Sequence, residues 1–180
     1  MAENTELKEE ITIPNGVEVT LINDKLTVKG EKGTLERIFY HPEIKMTIKE
    51  QKIEIICKKP RKKLKALVGT YRAHINNMIK GSTKEFEYKM KTVFSHFPIK
   101  ISVDGQKFVI QNFLGERAAR KAIILDGVKV DINGEDVTVK GIDIEKVGQT
   151  VANIERATLV RNRDIRVFQD GVYRTAKGEK

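Results

Sequence analysis

Tryptophan is absent from this 180-residue chain, and cysteine occurs once, at Cys57. One thiol closes no internal disulfide, and on an alternating apolar run it reads as a small core residue, so nothing suggests an oxidising compartment. Histidine is scarce as well. His41, His74 and His96 stand far apart in sequence, so the spacing that holds a metal is missing. The chain has no glycine loop ending in Lys-Ser or Lys-Thr and no dinucleotide fingerprint, and Ser82, Ser95 and Ser102 lack a nucleophile-elbow context. Acidic pairs such as Glu9-Glu10 and Glu135-Asp136 fall at the terminus and beside a turn, where solvated carboxylates are expected. No run approaches the roughly 20 apolar residues that span a bilayer. The opening residues carry Glu3, Glu6, Glu9 and Glu10 in place of the apolar stretch of a signal peptide. These absences argue against an enzyme, a cofactor, a metal, a membrane span and a small-molecule substrate. They favour a cytoplasmic binding protein.

Positive charge is what the chain has in excess. Its 34 basic and 25 acidic side chains give a net charge of +9. The excess is concentrated: Lys58, Lys59, Arg61, Lys62, Lys63, Lys65, Arg72, Lys80 and Lys84 follow one another with no acidic residue between them. Such a run is either a solvated helix face or a surface for a partner with dense negative charge, where each neutralised phosphate releases condensed counterions. Aromatic residues make up only 6%, and Phe86, Tyr88, Phe94 and Phe108 sit at alternating positions that suit a core. Proteins that grip single strands stack bases on exposed rings. The composition therefore fits a partner met through its folded backbone and phosphates, as structured RNA is.

The chain is also written twice. Val19, Leu21, Leu26, Val28 and Gly33 match Ile101, Val103, Phe108, Ile110 and Gly115 at an offset of 82. Ile44, Met46, Ile48, Ile53 and Ile55 match Val128, Val130, Ile132, Val137 and Val139 at 84, and Val68, Gly69, Ala73 and Ile75 match Val147, Gly148, Ala152 and Ile154 at 79. The first two blocks alternate and the third has helical spacing, so the repeated object is a set of strands plus one helix. Asn23-Asp24, Asp104-Gly105 and Asn133-Gly134 supply hairpin turns, and a further hairpin spans Lys49 to Lys52. Beyond Pro60, Leu64, Leu67, Val68, Tyr71, Ile75, Met78 and Ile79 line one face of a helix that should end at Gly81. Asp143 should cap a second helix running to about Thr158, with Ile144, Val147, Val151 and Ile154 inward. Segment 115–122 favours helix by propensity, yet the repeat aligns it with the extended Gly33 to Phe39, and the repeat is followed here. The expected fold class is α+β: two tandem homologous units, each an antiparallel sheet with one helix packed on one face. The expected division is a fraying acidic leader at 1–10, a first unit at 11–82, a second at 83–160 and a basic C-terminal extension at 161–180. Both helices keep an interior glycine, Gly69 and Gly148, which either admits a close neighbour such as an RNA backbone or is simply tolerated.

After the second helix the repeat is abandoned, and Arg161, Arg163, Arg166 and Arg174 lie within 14 residues, a segment that would order itself against an anionic partner. The string VGQTVANIERAT (147–158) followed by RDIRVFQDGVY (163–173), with the opening IPNGVEV (13–19) and GEDVTVKGIDIEKVGQ (134–149), resembles the large-subunit ribosomal protein six family in its archaeal form, whose eukaryotic counterpart is number nine. The resemblance runs from Ile11 to Tyr173. It implies a non-catalytic structural component of the large ribosomal subunit with two homologous α+β domains. It also implies binding to large-subunit rRNA near the sarcin–ricin loop, at the base of the factor-binding stalk, with ribosomal proteins as neighbours and translation factors nearby. In the family the C-terminal domain makes the main contacts. That implies rRNA binding by Lys146, Gln149, Asn153, Arg156, Arg161, Arg163, Arg166, Tyr173 and Arg174, the cations on phosphates and the amides on RNA edges or sugars. The chain departs from the bacterial pattern, which has a Gly-Lys-Gly-rich tail where Val167 to Gly171 stand. Charge density alone nominates instead the patch Lys58, Lys59, Arg61, Lys62, Lys63, Lys65 and Arg72, taken here as secondary. The competing reading is an extra-ribosomal module that binds double-stranded nucleic acid.

Overall fold

A computed structural model of the chain describes residues 6–49 and 51–177. The chain divides into two units between Lys84 and Glu85. Unit 1 runs through β1 (Leu7–Thr12), β2 (Glu18–Ile22), β3 (Lys25–Gly30), β4 (Gly33–Ile38), β5 (Ile44–Lys49), β6 (Lys52–Cys57) and α1 (Lys62–Thr83). Unit 2 repeats the order as β7 (Phe86–Val93), β8 (Lys100–Asp104), β9 (Lys107–Gln111), β10 (Arg120–Ile123), β11 (Val128–Asn133), β12 (Asp136–Gly141) and α2 (Ile144–Ala157). It then adds β13 (Gly171–Lys177), which has no counterpart in unit 1.

The strands form because apolar residues alternate, and the repeat marks which side is buried. Leu26 and Val28 on β3 and their equivalents Phe108 and Ile110 on β9 are all fully buried. Each unit contains two antiparallel sheets, a finer division than the single sheet read from sequence. Unit 1 has β2-β3-β4 and β1-β6-β5, and unit 2 has β10-β9-β8 and β11-β12-β7-β13. One helix closes both sheets of its unit. α1 buries Leu64, Val68, Ile75, Met78 and Ile79 together with Leu26, Ile53, Ile55 and Cys57, and α2 buries Val147, Val151 and Ile154 with Tyr88, Met90, Phe108 and Val139.

Several sequence expectations are corrected. The leader does not fray throughout. Leu7 to Glu10 belong to β1, which pairs with β6 from Leu7 opposite Cys57 to Thr12 opposite Lys52. Glu9 and Glu10 are not idle solvated carboxylates, since Glu9 pairs with Arg72 at 3.1 Å and Glu10 with Lys8 at 3.3 Å and Lys52 at 3.1 Å. Nor does Gly81 end the helix. The Thr83 hydroxyl donates to the Ile79 carbonyl at 2.8 Å and the Lys84 amide to that of Lys80 at 2.7 Å, which carries α1 through Thr83.

Two hairpin turns slip by one residue. Asp104 and Asn133 are the last residues of their strands, and the turns begin at Gly105 and Gly134, whose φ of 56° and 62° suits glycine. Asn23 and Asp24 do form their turn, at φ 50° and 61°. Segment 115–122 is extended only from Arg120, because the cross-strand pair Lys107–Ile123 stands three residues further apart in sequence than its equivalent, Lys25–Ile38. The surplus becomes a loop in which Asn112 and Leu114 adopt left-handed φ. The C-terminal tail is no free extension either, since β13 pairs with β7 and buries Val172 completely.

Two glycines of unit 1 behave oppositely. A Cβ at Gly30 would lie 2.5 Å from the Ser82 carbonyl oxygen at the end of α1, where the Lys32 amide also donates to that oxygen at 3.0 Å. A Cβ at Gly69 meets nothing within 4 Å. Gly30→Ala is therefore expected to cost about 2 kcal/mol through overpacking, whereas Gly69→Ala should stabilise by about 1 kcal/mol through helix propensity. Urea unfolding of the two variants checks the opposite signs, and a destabilised Gly69→Ala would mean that α1 is held by something other than the contacts described.

Candidate nucleic-acid interface

Asp143 starts α2 by accepting the Glu145 amide at 2.9 Å, and the buried stripe then fixes which residues face outward. Lys146, Gln149 and Arg156 are exposed, and Asn153 is half-buried. Asn153 is engaged within the protein: its amide donates to the Ile123 carbonyl at 3.0 Å while its oxygen accepts from Gln149 at 2.9 Å. The pair ties α2 to β10 and leaves the Gln149 carbonyl oxygen pointing away from that bond.

Beyond α2 the chain makes a loop, residues 158–170, held at both ends. The Thr158 hydroxyl accepts the buried Val172 amide at 3.1 Å, and Glu155 accepts the Arg174 amide at 3.0 Å. Asp170 is only 2% exposed and accepts from the Ser95 amide at 3.2 Å and its hydroxyl at 3.3 Å. Inside the loop, the Asp164 carboxylate accepts the Arg166 amide at 2.9 Å, and the Asp164 carbonyl accepts the amides of Val167 and Phe168. Arg163 lies over the Phe168 ring at 4.7 Å. The loop thus holds Arg161, Arg163 and Arg166 out on a tied backbone, with Ile165 and Val167 exposed among them.

Tyr173 is placed differently from a stacking ring. Its hydroxyl donates to the Gln169 carbonyl at 3.1 Å, and its ring lies over Gly171, where a Cβ would approach within 2.9 Å of ring carbon. It covers the base of the loop.

Residues that sequence reasoning missed hold this arrangement. Arg120 donates to the carbonyls of Ala157 and Leu159, each at 3.0 Å, so a guanidinium sits where α2 leaves its last carbonyls unpaired. It is aimed by Glu116, to which it donates at 2.8 and 2.6 Å, and by the Phe113 ring at 4.2 Å. The Glu116-x-x-x-Arg120 spacing was legible as a pair, but it suggested a helix of its own. Asp170 and Ser95 carry no sequence signal, being 75 residues apart.

In unit 1, Lys58 and Lys59 follow β6, Arg61 occupies the position before α1, and Lys62, Lys63 and Lys65 fill its first turn. All six are exposed. Arg72, counted with them from sequence, is instead paired with Glu9. Among the described residues the cations fall into two classes. Lys8, Lys25, Lys29, Lys49, Lys52 and Lys140, on strands or at their ends, each have a carboxylate partner. Lys146, Arg156, Arg161, Arg163, Arg166 and Arg174 in unit 2 form no ion pair, nor do the six around the start of α1. No group of three His, Cys, Asp or Glu among the described residues is arranged to hold a metal ion, and no helix is long and apolar enough to cross a membrane.

Comparison with known proteins is consistent with the duplication. A family model described as Ribosomal protein L6 matches twice in tandem, over residues 13–85 and 97–171. The chain is 49% identical over 171 residues to a protein of Methanobrevibacter smithii named large ribosomal subunit protein uL6, covering 95% of this chain and 96% of that one. It is 46% identical over 168 residues to the protein of the same name from Methanosarcina mazei, covering 93% and 96%.

Hydrogen bonding and charge from Arg120 hold the Glu116 carboxyl below its ordinary value of 4.5, against a smaller opposing effect of burial. A lowered carboxylate stabilises the folded form above the ordinary value, and that contribution is lost as pH falls through the lowered one. The loop is therefore expected to loosen on acidification between about pH 5 and pH 3. Amide exchange at residues 157–170, corrected for intrinsic rates, measures this. Glu116→Gln should be looser already at neutral pH and flatter in its response, and identical acid profiles for the two proteins would remove Glu116 from the account.

Proposed function

Because the chain belongs to the ribosomal protein L6 family, we propose that it is a structural component of the large ribosomal subunit whose second unit binds large-subunit rRNA through the 158–170 loop and the outer face of α2. The family is not enzymatic, and the protein's work is binding within the cytoplasmic ribosome. The observation that carries the reading is the class of unpaired cations on a tied backbone: Arg161, Arg163 and Arg166 with Lys146, Arg156 and Arg174 nearby in sequence. An arginine held in place loses little freedom when a phosphate arrives, and its planar fork matches that phosphate. Ile165, 69% exposed, and Val167, 70% exposed, are apolar enough to leave water against ribose or base surfaces.

Resemblance in the strings 147–158 and 163–173 supports a more specific placement, near the sarcin–ricin loop at the base of the factor-binding stalk, with ribosomal proteins beside it and translation factors docking nearby. Asn153 and Tyr173 serve here as supports of the surface, since their polar atoms are engaged inside the protein.

Replacing Arg161, Arg163 and Arg166 together by alanine should weaken binding to large-subunit rRNA by roughly 1–3 kcal/mol. The melting curve should stay in place, because none of the three forms an ion pair in the fold. Salt-dependent binding and chemical footprinting read the effect, and protections on the rRNA that survive the triple replacement would rule out this loop as the contact.

A further inference from the structure

We propose that Lys58, Lys59, Arg61, Lys62, Lys63 and Lys65 form a second phosphate-docking surface, on unit 1, for the backbone of a helical RNA segment. The inference rests on the rRNA-binding reading above and extends it to a region that reading leaves without a role.

The two units supply an internal control. Val68 and Ile75 of α1 correspond to Val147 and Ile154 of α2, and all four are buried. The same helix therefore packs the same way twice, yet the two begin with opposite electrostatics. α2 begins with a carboxylate, Asp143, accepting an amide, has Glu145 in its first turn and Arg156 in its last, as the positive amino end and negative carboxyl end of a helix favour. α1 has Arg61 before it with no side-chain cap, and no acidic residue in its first turn. Relative to the repeat it also starts three residues earlier, and the added turn carries Lys62 and Lys63.

Nothing among the described residues offsets this charge. The other cations of unit 1 show that the fold does pair its charges where it can: Lys8 and Lys49 hold Glu54 at 3.1 and 3.0 Å, and Arg72 holds Glu9. The six have no such partner. A like-charged cluster set against the positive end of a helix is unfavourable in the free protein, and a polyanion removes that penalty while releasing its own counterions. Of residues 58–65 only Pro60 and Leu64 are uncharged, and Leu64 is buried. With no ring in the segment to stack on a splayed base, the chemistry matches phosphates along a regular backbone.

The test compares Lys62→Glu/Lys63→Glu with the wild-type full chain, using protein-free large-subunit rRNA from an archaeal relative. Removing the helix-end repulsion should raise the thermal midpoint by roughly 4 °C. The same change should lower rRNA affinity about tenfold at moderate salt, reduce the slope of log affinity against log salt by roughly 2, and erase a set of backbone protections. These should differ from the protections lost in Arg161→Ala/Arg163→Ala/Arg166→Ala. Lys62→Ala/Lys63→Ala, which removes charge without reversing it, serves should the glutamate variant not fold. A lowered midpoint would refute the repulsion argument. A raised midpoint with unchanged rRNA slope and footprint would overturn the proposal, and selective loss of binding to poly-glutamate in that variant would assign the patch to an acidic protein instead. Absence of any rRNA protection by the wild type would defeat the underlying reading as well, whereas protections lost only in the arginine variant would defeat this inference alone.

Discussion

Burial of one helical stripe against two small sheets is the constraint on which both units depend. Strands such as β3 and β9 are buried on one side only, and three-stranded sheets of this size have no independent core. The helix supplies the missing surface to both sheets at once. Each fully buried Val, Leu or Ile contributes about 1.5–3 kcal/mol, so the apolar stripe of α1 outweighs several unfavourable charges at its end, each worth about 0.3–1 kcal/mol. That inequality frees the outer face and the ends of the helix to be chosen for something other than stability.

Charge is then distributed by what remains. On the outer side of the β1-β6-β5 sheet, Lys8, Lys49 and Lys52 are taken up by Glu10 and Glu54, and the Glu54 carboxyl is held low by Lys49 and Lys8 together. These pairs sit on a rigid ladder where opposite charges lie across neighbouring strands, which is where such pairs contribute. The unpaired cations lie at the start of α1, on the exposed side of α2 and on the loop after it. Net charge alone would not distinguish these from the sheet lysines; the pairing does.

The sequence made the repeated strand-and-helix plan legible, because period-two and period-3.6 patterns are properties of neighbouring residues. Leu26, Val28, Ile75, Val147, Val151 and Ile154 are buried as their spacing required. What escaped reading depends on distant partners. Leu7 to Glu10 looked like an acidic leader because a charged edge strand has few apolar residues, and only its register with β6 makes it a strand. Arg120 lies in a segment whose composition favours helix, and its task of binding the carbonyls of Ala157 and Leu159 involves residues 37 and 39 positions away. Of the candidate site, the exposed cations were visible as letters. The internal engagement of Asn153 and Tyr173 was not, since a string shows neither Ile123 behind one nor Gly171 beneath the other.

The two units also solve the same edge problem in different ways, and the difference explains why only the second has an arginine loop. By register, β1 and β7 are equivalent: each pairs with the strand that leads into its helix. An unpaired edge invites association with other chains unless it is charged or covered. In unit 1 the edge is charged, with Lys8, Glu9 and Glu10 locked in ion pairs. In unit 2 the edge is covered by β13. To reach β7 from the end of α2 the chain must double back, and Thr158, Asp170 and Glu155 fix the points where it leaves and returns. The loop that carries Arg161, Arg163 and Arg166 is what lies between those points. Its order is thus a consequence of covering a sheet edge, and the preorganisation that makes its arginines effective toward phosphate comes from strand pairing and not from the arginines themselves.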